Sequence, residues 1–176
     1  MNKLNRKGFT LIELLAVIVI LAIIVVVTVP TIISTISDAR VSSIWNLAAS
    51  TANSYDTAAA QDLLSPGKTL GGIENSVTTS WQCISSLSGD KGTLAEILDL
   101  SATDVRLASS YTAVPTTDID GNWVIADTTC SAIKVKANGA AEVFLVAEDG
   151  GKFAISGKVV YALSSADAGG TNNITG

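Results

Sequence analysis

The run FTLIELLAVIVILAIIVVVTV, Phe9–Val29, constrains this chain more than any other stretch. Its only polar or charged residues are Thr10, Glu13 and Thr28. As a helix rising ~1.5 Å per residue it is long enough to cross ~30 Å of hydrocarbon. Lys3, Arg6 and Lys7 precede it. Basic flanks stay on the cytoplasmic side, so the rest of the chain is expected outside. A secretory signal has a shorter apolar core followed by a small-residue cleavage site. Here Pro30 follows Val29 and helical spacing continues beyond it, so the segment reads as a retained anchor.

Glu13 is out of place in such a segment. A carboxylate inside the bilayer costs a few kcal/mol and marks a functional position by default. The plainer alternative is a hydrated carboxylate one turn from the helix start, favoured by the helix dipole. The surrounding residues, Lys7-Gly8-Phe9-Thr10-Leu11-Ile12-Glu13, decide between the two. This stretch resembles the processing motif of type IV pilins and of the pseudopilins of type II secretion and competence systems. The resemblance covers about residues 3 to 40. Basic leader, Gly, aromatic, Glu and apolar run all match in order. It implies a leader, residues 1–8, removed by a prepilin peptidase that cuts after Gly8. The new N-terminal Phe9 is then N-methylated by the same peptidase/methyltransferase. It also implies that the Phe9 amine pairs with Glu13 of a neighbouring subunit. In low dielectric such a pair is strong only when both partners are present, so it would set register along a filament. The partners so implied are identical or related pilin subunits, an inner-membrane assembly platform, and membrane lipid before assembly.

Composition agrees with an exported chain. The leader holds three of the eleven basic residues and none of the sixteen acidic ones, which leaves 8 − 16 = −8 on the remainder. No basic patch follows Lys7, so no direct nucleic-acid partner is expected. There is no histidine. The two cysteines, Cys83 and Cys130, are far apart and outside any C-x-x-C pair. Beside a membrane-targeting segment they read as one disulfide, with two buried free thiols as the alternative. A bridge closing that loop stabilises the folded chain by roughly 4 kcal/mol on the chain-entropy model.

After Pro30 the helical pattern resumes. Pro30 itself cannot continue the hydrogen-bond ladder and is expected to kink or loosen the helix. In the family a proline here goes with a stretch that melts in the assembled filament. Ile33, Ile36, Arg40, Ile44, Leu47, Thr51, Tyr55 and Ala59 recur three or four apart, with Ala48 and Ala52 beside them. Ser65-Pro66-Gly67 should end the helix near Leu64. An unbroken helix from Phe9 to Leu64 would be ~84 Å long, more than a head of this size covers. Its first half, residues 9–29, therefore needs lipid or sister helices. The second half, 30–64, packs on its own head from about Ile44.

The head, 65–176, is legible only in part. Leu94–Leu98 suggests a short helix and Val77–Leu87 a second; Trp123–Ala126 suggests a strand. Asp118-Ile119-Asp120-Gly121-Asn122 has some look of a calcium loop, but its spacing is not that of an EF-hand, and Asp-Gly is first a turn signal. From 131 to 163 the pattern is that of an antiparallel meander. Its runs are Ile133–Lys136, Glu142–Val146, Lys152–Ile155 and Lys158–Leu163, separated by glycine turns. The tail, 166–176, reads as mobile, and Asn173-Ile174-Thr175 is a glycosylation sequon by pattern.

The expected fold class is α+β: a long N-terminal helix, membrane-spanning then amphipathic, on a small antiparallel sheet. Many pilins bridge a C-terminal loop after the sheet; here Cys130 precedes the meander, so that loop is not carried over. The implied function is a structural filament subunit of a type IV pilus, serving adhesion, motility or a related surface role. The alternatives are a pseudopilin of a type II secretion or competence system, or a minor tip pilin with a binding role. An enzyme is not expected, because no histidine, G-x-S-x-G or metal-ligand cluster is present, and no cofactor or metal ligand set is assigned. Before assembly the chain should be a single-pass cytoplasmic-membrane protein with its head outside; afterwards it should lie in an extracellular fibre.

Overall fold

A computed structural model describes residues 9–165 and 170–173. The elements in chain order are α1 (Leu11–Leu64), β1 (Gln82–Cys83), β2 (Ser88–Gly89), β3 (Gly92–Thr93) and α2 (Leu94–Ile97). Then follow β4 (Thr116–Thr117), β5 (Trp123–Val124), β6 (Ala132–Val135), β7 (Ala141–Val146), β8 (Lys158–Leu163) and β9 (Gly170–Asn173). The chain divides into two units, Met1–Asp38 and Ala39–Gly176. Among the described residues the first holds only the start of α1.

In the second unit a five-stranded antiparallel sheet runs in the order β1-β6-β7-β8-β9. One face is covered by α1. Ile44, Ala48, Thr51, Ala52, Tyr55 and Ala58 of the helix are buried, and they form one core with Ile133, Val143, Leu145, Val160 and Ala162 of the sheet. The alanines leave room for the helix to approach the strands. Two polar contacts fix the packing. The Ala141 N–H donates to Asp56 Oδ1 at 2.7 Å, and Arg40 donates to the Ala154 carbonyl.

The other face is covered too, which the meander pattern does not show. Phe144, Val146 and Val159 point there and meet Trp81, Trp123, Tyr161 and Leu163. Trp81 stands edge-on to Phe144 at 6.0 Å, while Phe144 and Tyr161 stack at 5.5 Å. Trp123 comes from the β4–β5 hairpin, a separate two-stranded sheet. Successive residues of β7 therefore alternate between two cores, and the whole strand is buried. Glu142 is the polar member. Its carboxylate meets Lys134 Nζ at 2.9 Å and Lys136 Nζ at 3.4 Å, and it accepts from the Ser165 hydroxyl. Burial opposes its charge, but those donors outweigh it and hold the carboxyl below its ordinary 4.5.

Three expectations are corrected. Lys152–Ile155 is a loop, not a sheet strand: Gly151 and Ala154 N–H groups close turns onto Glu148 and Gly151 carbonyls, and Phe153 drops into the main core. Val77–Leu87 is not a helix; it supplies edge strand β1 and a single 3₁₀ turn, Ile84–Ser86. Its Val, Thr, Ser and Cys residues are poor helix formers, and Gln82 and Cys83 pair instead with Ile133 and Ala132. In the tail, Gly170–Asn173 is strand β9, paired with β8; the remainder of 166–176, including Ile174 and Thr175 of the sequon, lies outside the described residues. At Asn138-Gly139 the turn forms as its residues require, with Gly139 at φ +86.

Two buried polar side chains went unread in the sequence. Asp62, in the last turn of α1, accepts from the Thr69 and Leu70 N–H groups at 2.7 Å each, so it ties the helix end to the loop that follows. Arg106 Nη1 donates to the Ala126 and Asp127 carbonyls at 3.0 and 3.2 Å. Its guanidinium lies 5.2 Å from the centre of the Tyr111 ring.

Candidate processing and assembly site

Gly8 and the leader lie outside the described residues. Phe9 is the first described residue and is 90 % exposed. α1 begins two residues on, at Leu11, with Thr10 at its cap position. The Thr10 N–H and hydroxyl both donate to Glu13 Oε2 at 2.8 Å, and the Glu13 N–H reaches back to Thr10 Oγ1 at 3.4 Å. This reciprocal arrangement is a capping box, and it satisfies helix N–H groups that otherwise lack partners. Its sequence signal, Thr-x-x-Glu, stands in the chain at 10–13 but is overshadowed by the apolar run.

From Leu11 to Ile36 every residue of α1 is exposed. Between Leu14 and Val27 this exposed surface is wholly apolar, and such a surface is not tolerated in water, at ~25 cal/mol for each Å² left unburied. The helix is long and apolar enough to cross a membrane.

α1 runs without interruption through Pro30. Pro30 has no N–H to offer the Val26 carbonyl, so one rung of the ladder is missing. Around this gap hydroxyls bond back to the helix. Thr28 donates to Val25 O, Thr31 to Thr28 O at 2.7 Å, and Ser34 and Thr35 to Thr31 O at 2.9 Å each. Such bonds give the backbone partners that compete with the regular ladder. The helix therefore does not end at Pro30 but continues through it with a locally weakened ladder.

Farther along, Cys83 and Cys130 are joined in a disulfide across a sequence separation of 47. It links edge strand β1, which ends at Cys83, to Cys130, two residues before β6. Asp118 Oδ1 accepts from the Asp120 and Asn122 N–H groups at 2.9 and 2.8 Å. Its carboxylate therefore closes the 118–122 turn.

A long N-terminal apolar helix whose later part packs on an antiparallel sheet is an α+β, pilin-like arrangement. Residues 3–29 match the family described as the prokaryotic N-terminal methylation motif. The chain thus carries the class III signal peptide of type IV pilins and pseudopilins, which marks a pilin- or pseudopilin-like exported subunit. No curated protein and no solved structure matches the chain.

Proposed function

We propose that this chain is a structural subunit of a type IV pilus-like surface filament, in service of adhesion, motility or a related surface function. The observation that carries the reading is the methylation motif over residues 3–29, set on a helix whose apolar residues from Leu11 to Ile36 are all exposed. The prepilin peptidase cuts between Gly8 and Phe9 on the cytoplasmic side and Phe9 is N-methylated. The anchored subunit then leaves the bilayer through the assembly platform, and its apolar helix exchanges lipid for sister helices. The new Phe9 amine meets Glu13 of a neighbour, and this pairing competes with the local Thr10 bonds. A lone Glu13 is costly in hydrocarbon even when capped, which favours extraction into the bundle. The weakened ladder at Pro30 supplies the stretch that unwinds on assembly. The same motif supports a second reading, a pseudopilin of a secretion or competence system; the sizeable head favours the pilus. Electron microscopy of cells labelled with antibody to the head tests the choice. Labelled fibres extending from the surface support a pilus; label confined to the envelope favours the pseudopilus.

A further inference from the structure

A cleft of about 430 Å³ opens beside the disulfide in the second unit, within the ~300–1,000 Å³ range of small-ligand sites. Trp81 and Tyr111 both line it, and both pack against Cys83, Cys130 and Ala132. Between and around these rings the lining is uncharged: polar groups of Gln82, Ser85, Ser109 and Thr112 stand beside apolar Val114 and the disulfide. None of the lining residues carries a charge.

The two rings are held in place before any ligand arrives. The Tyr111 hydroxyl donates to Glu148 Oε1 at 2.6 Å, and the Arg106 guanidinium lies over the ring. Trp81 is fixed by edge contacts to Trp123 and Phe144 and by Lys134 Nζ, 4.4 Å from its ring centre. The disulfide keeps Cys83 from moving away from Cys130. Little conformational freedom is then lost on binding, and aromatic rings supply large contact area at low entropic cost.

The geometry points to a binding site for a neutral sugar ring, a hexopyranose residue of a glycan. A pyranose has an apolar C–H face that suits the electron-rich face of an indole or phenol. Its hydroxyls both donate and accept, as do the Ser and Thr hydroxyls and the Gln82 amide around the rings. An anionic ligand would find no cation among the lining residues: Lys134 is taken by Glu142 and the Trp81 ring, Arg106 by the Ala126 and Asp127 carbonyls and the Tyr111 ring, and Glu148 stands behind Tyr111. An aliphatic side chain would pack on Val114 and the rings, but it would strip water from the Ser and Thr hydroxyls and the Gln82 amide and return no hydrogen bond. The inference uses only the second unit and does not depend on whether the subunit builds a pilus or a pseudopilus.

The test is saturation-transfer NMR on the full chain in phosphatidylcholine nanodiscs, with the methyl glycosides of glucose, galactose, mannose and N-acetylglucosamine as probes. Transfer to the ring protons of at least one glycoside is expected at millimolar concentration. Thr112→Trp places bulk in the cleft from an exposed position that the fold does not need. It should weaken that binding at least about tenfold, roughly the step that 1.4 kcal/mol represents. Thr57→Trp, on an exposed part of α1, should leave it unchanged. No transfer to any of the four, or equal binding by Thr112→Trp, overturns the inference. So does stronger binding of sialic acid or of N-acetyl-leucine amide than of every neutral glycoside.

Discussion

Thr10 and Glu13 bond each other reciprocally at the first turn of α1, two contacts of 2.8 Å reaching one carboxylate oxygen. Before assembly, then, the carboxylate in the apolar helix has a local partner. Two roles overlap at Glu13: capping, which needs an acceptor, and pairing with an amine, which needs charge. They separate by substitution. Thr10→Val removes the hydroxyl and should loosen the first turn by about 1 kcal/mol. It should be seen as faster amide exchange at Leu11–Leu14, with fibres still formed. Glu13→Gln keeps a carbonyl acceptor for the cap but no charge, and should abolish fibres while membrane levels of the chain hold. Loss of fibres from Thr10→Val with full assembly of Glu13→Gln would contradict the charge-pairing account.

The disulfide closes a large loop. In the chain-entropy model a separation of 47 is worth about 4 kcal/mol. Paired substitution of Cys83 and Cys130 by Ser should lower the unfolding midpoint by on the order of 10–15 °C. Thermal scans of wild type with and without reductant check this. A change of only a few degrees would mean that the sheet and α1 hold the middle region without the bridge.

Acid should destabilise the second unit through Glu142. Its carboxyl lies below 4.5 in the fold, so the stability it contributes is present above that value and is lost as pH falls beneath it. Asp62 adds to the same trend: burial opposes its charge, yet the Thr69 and Leu70 N–H groups hold its carboxyl below 3.8. Glu142→Gln should flatten the acid limb of a plot of stability against pH. An unchanged limb would remove Glu142 from the account.

At the alkaline end all three tyrosines are pushed up from 10. Burial is the leading cause in each, and Tyr55 and Tyr111 reach about 12. Here the sign reverses. The stability is intact below 10 and declines as pH rises toward the folded values. An ultraviolet titration should show no phenolate until well above 10, then ionisation together with unfolding. A tyrosine that ionises near 10 in the folded chain would contradict this packing.

Arg106 lies 2 % exposed and holds the Ala126 and Asp127 carbonyls. Arg106→Met should cost about 2–3 kcal/mol, since carbonyls left without donors each carry a desolvation penalty. Denaturant unfolding checks the value; a loss below about 0.5 kcal/mol, ordinary for surface sites, would show that water takes the guanidinium's place.

The long helix was legible because its signals are strong and local: an apolar run, three-and-four spacing, and a Ser-Pro-Gly stop after Leu64. Strand β8 was legible between Gly157 and the Ser-rich turn after it. Lys152–Ile155 was misread because Phe153 and Ile155 look strand-like alone. Arg40, more than a hundred residues away in sequence, takes the Ala154 carbonyl instead. The second sheet face was hidden for a similar reason, since Trp81 and Trp123 meet Phe144 only after the chain folds. Arg106 gave no signal, being a lone basic residue in an irregular stretch. The capping of Glu13 was written in the sequence as Thr-x-x-Glu.

The measurement closest to the central claim is N-terminal peptide mass spectrometry on material sheared from the cell surface. The account predicts a chain that begins at N-methylated Phe9, with residues 1–8 absent. A sheared chain that begins at Met1, or one cut elsewhere than between Gly8 and Phe9, would contradict it.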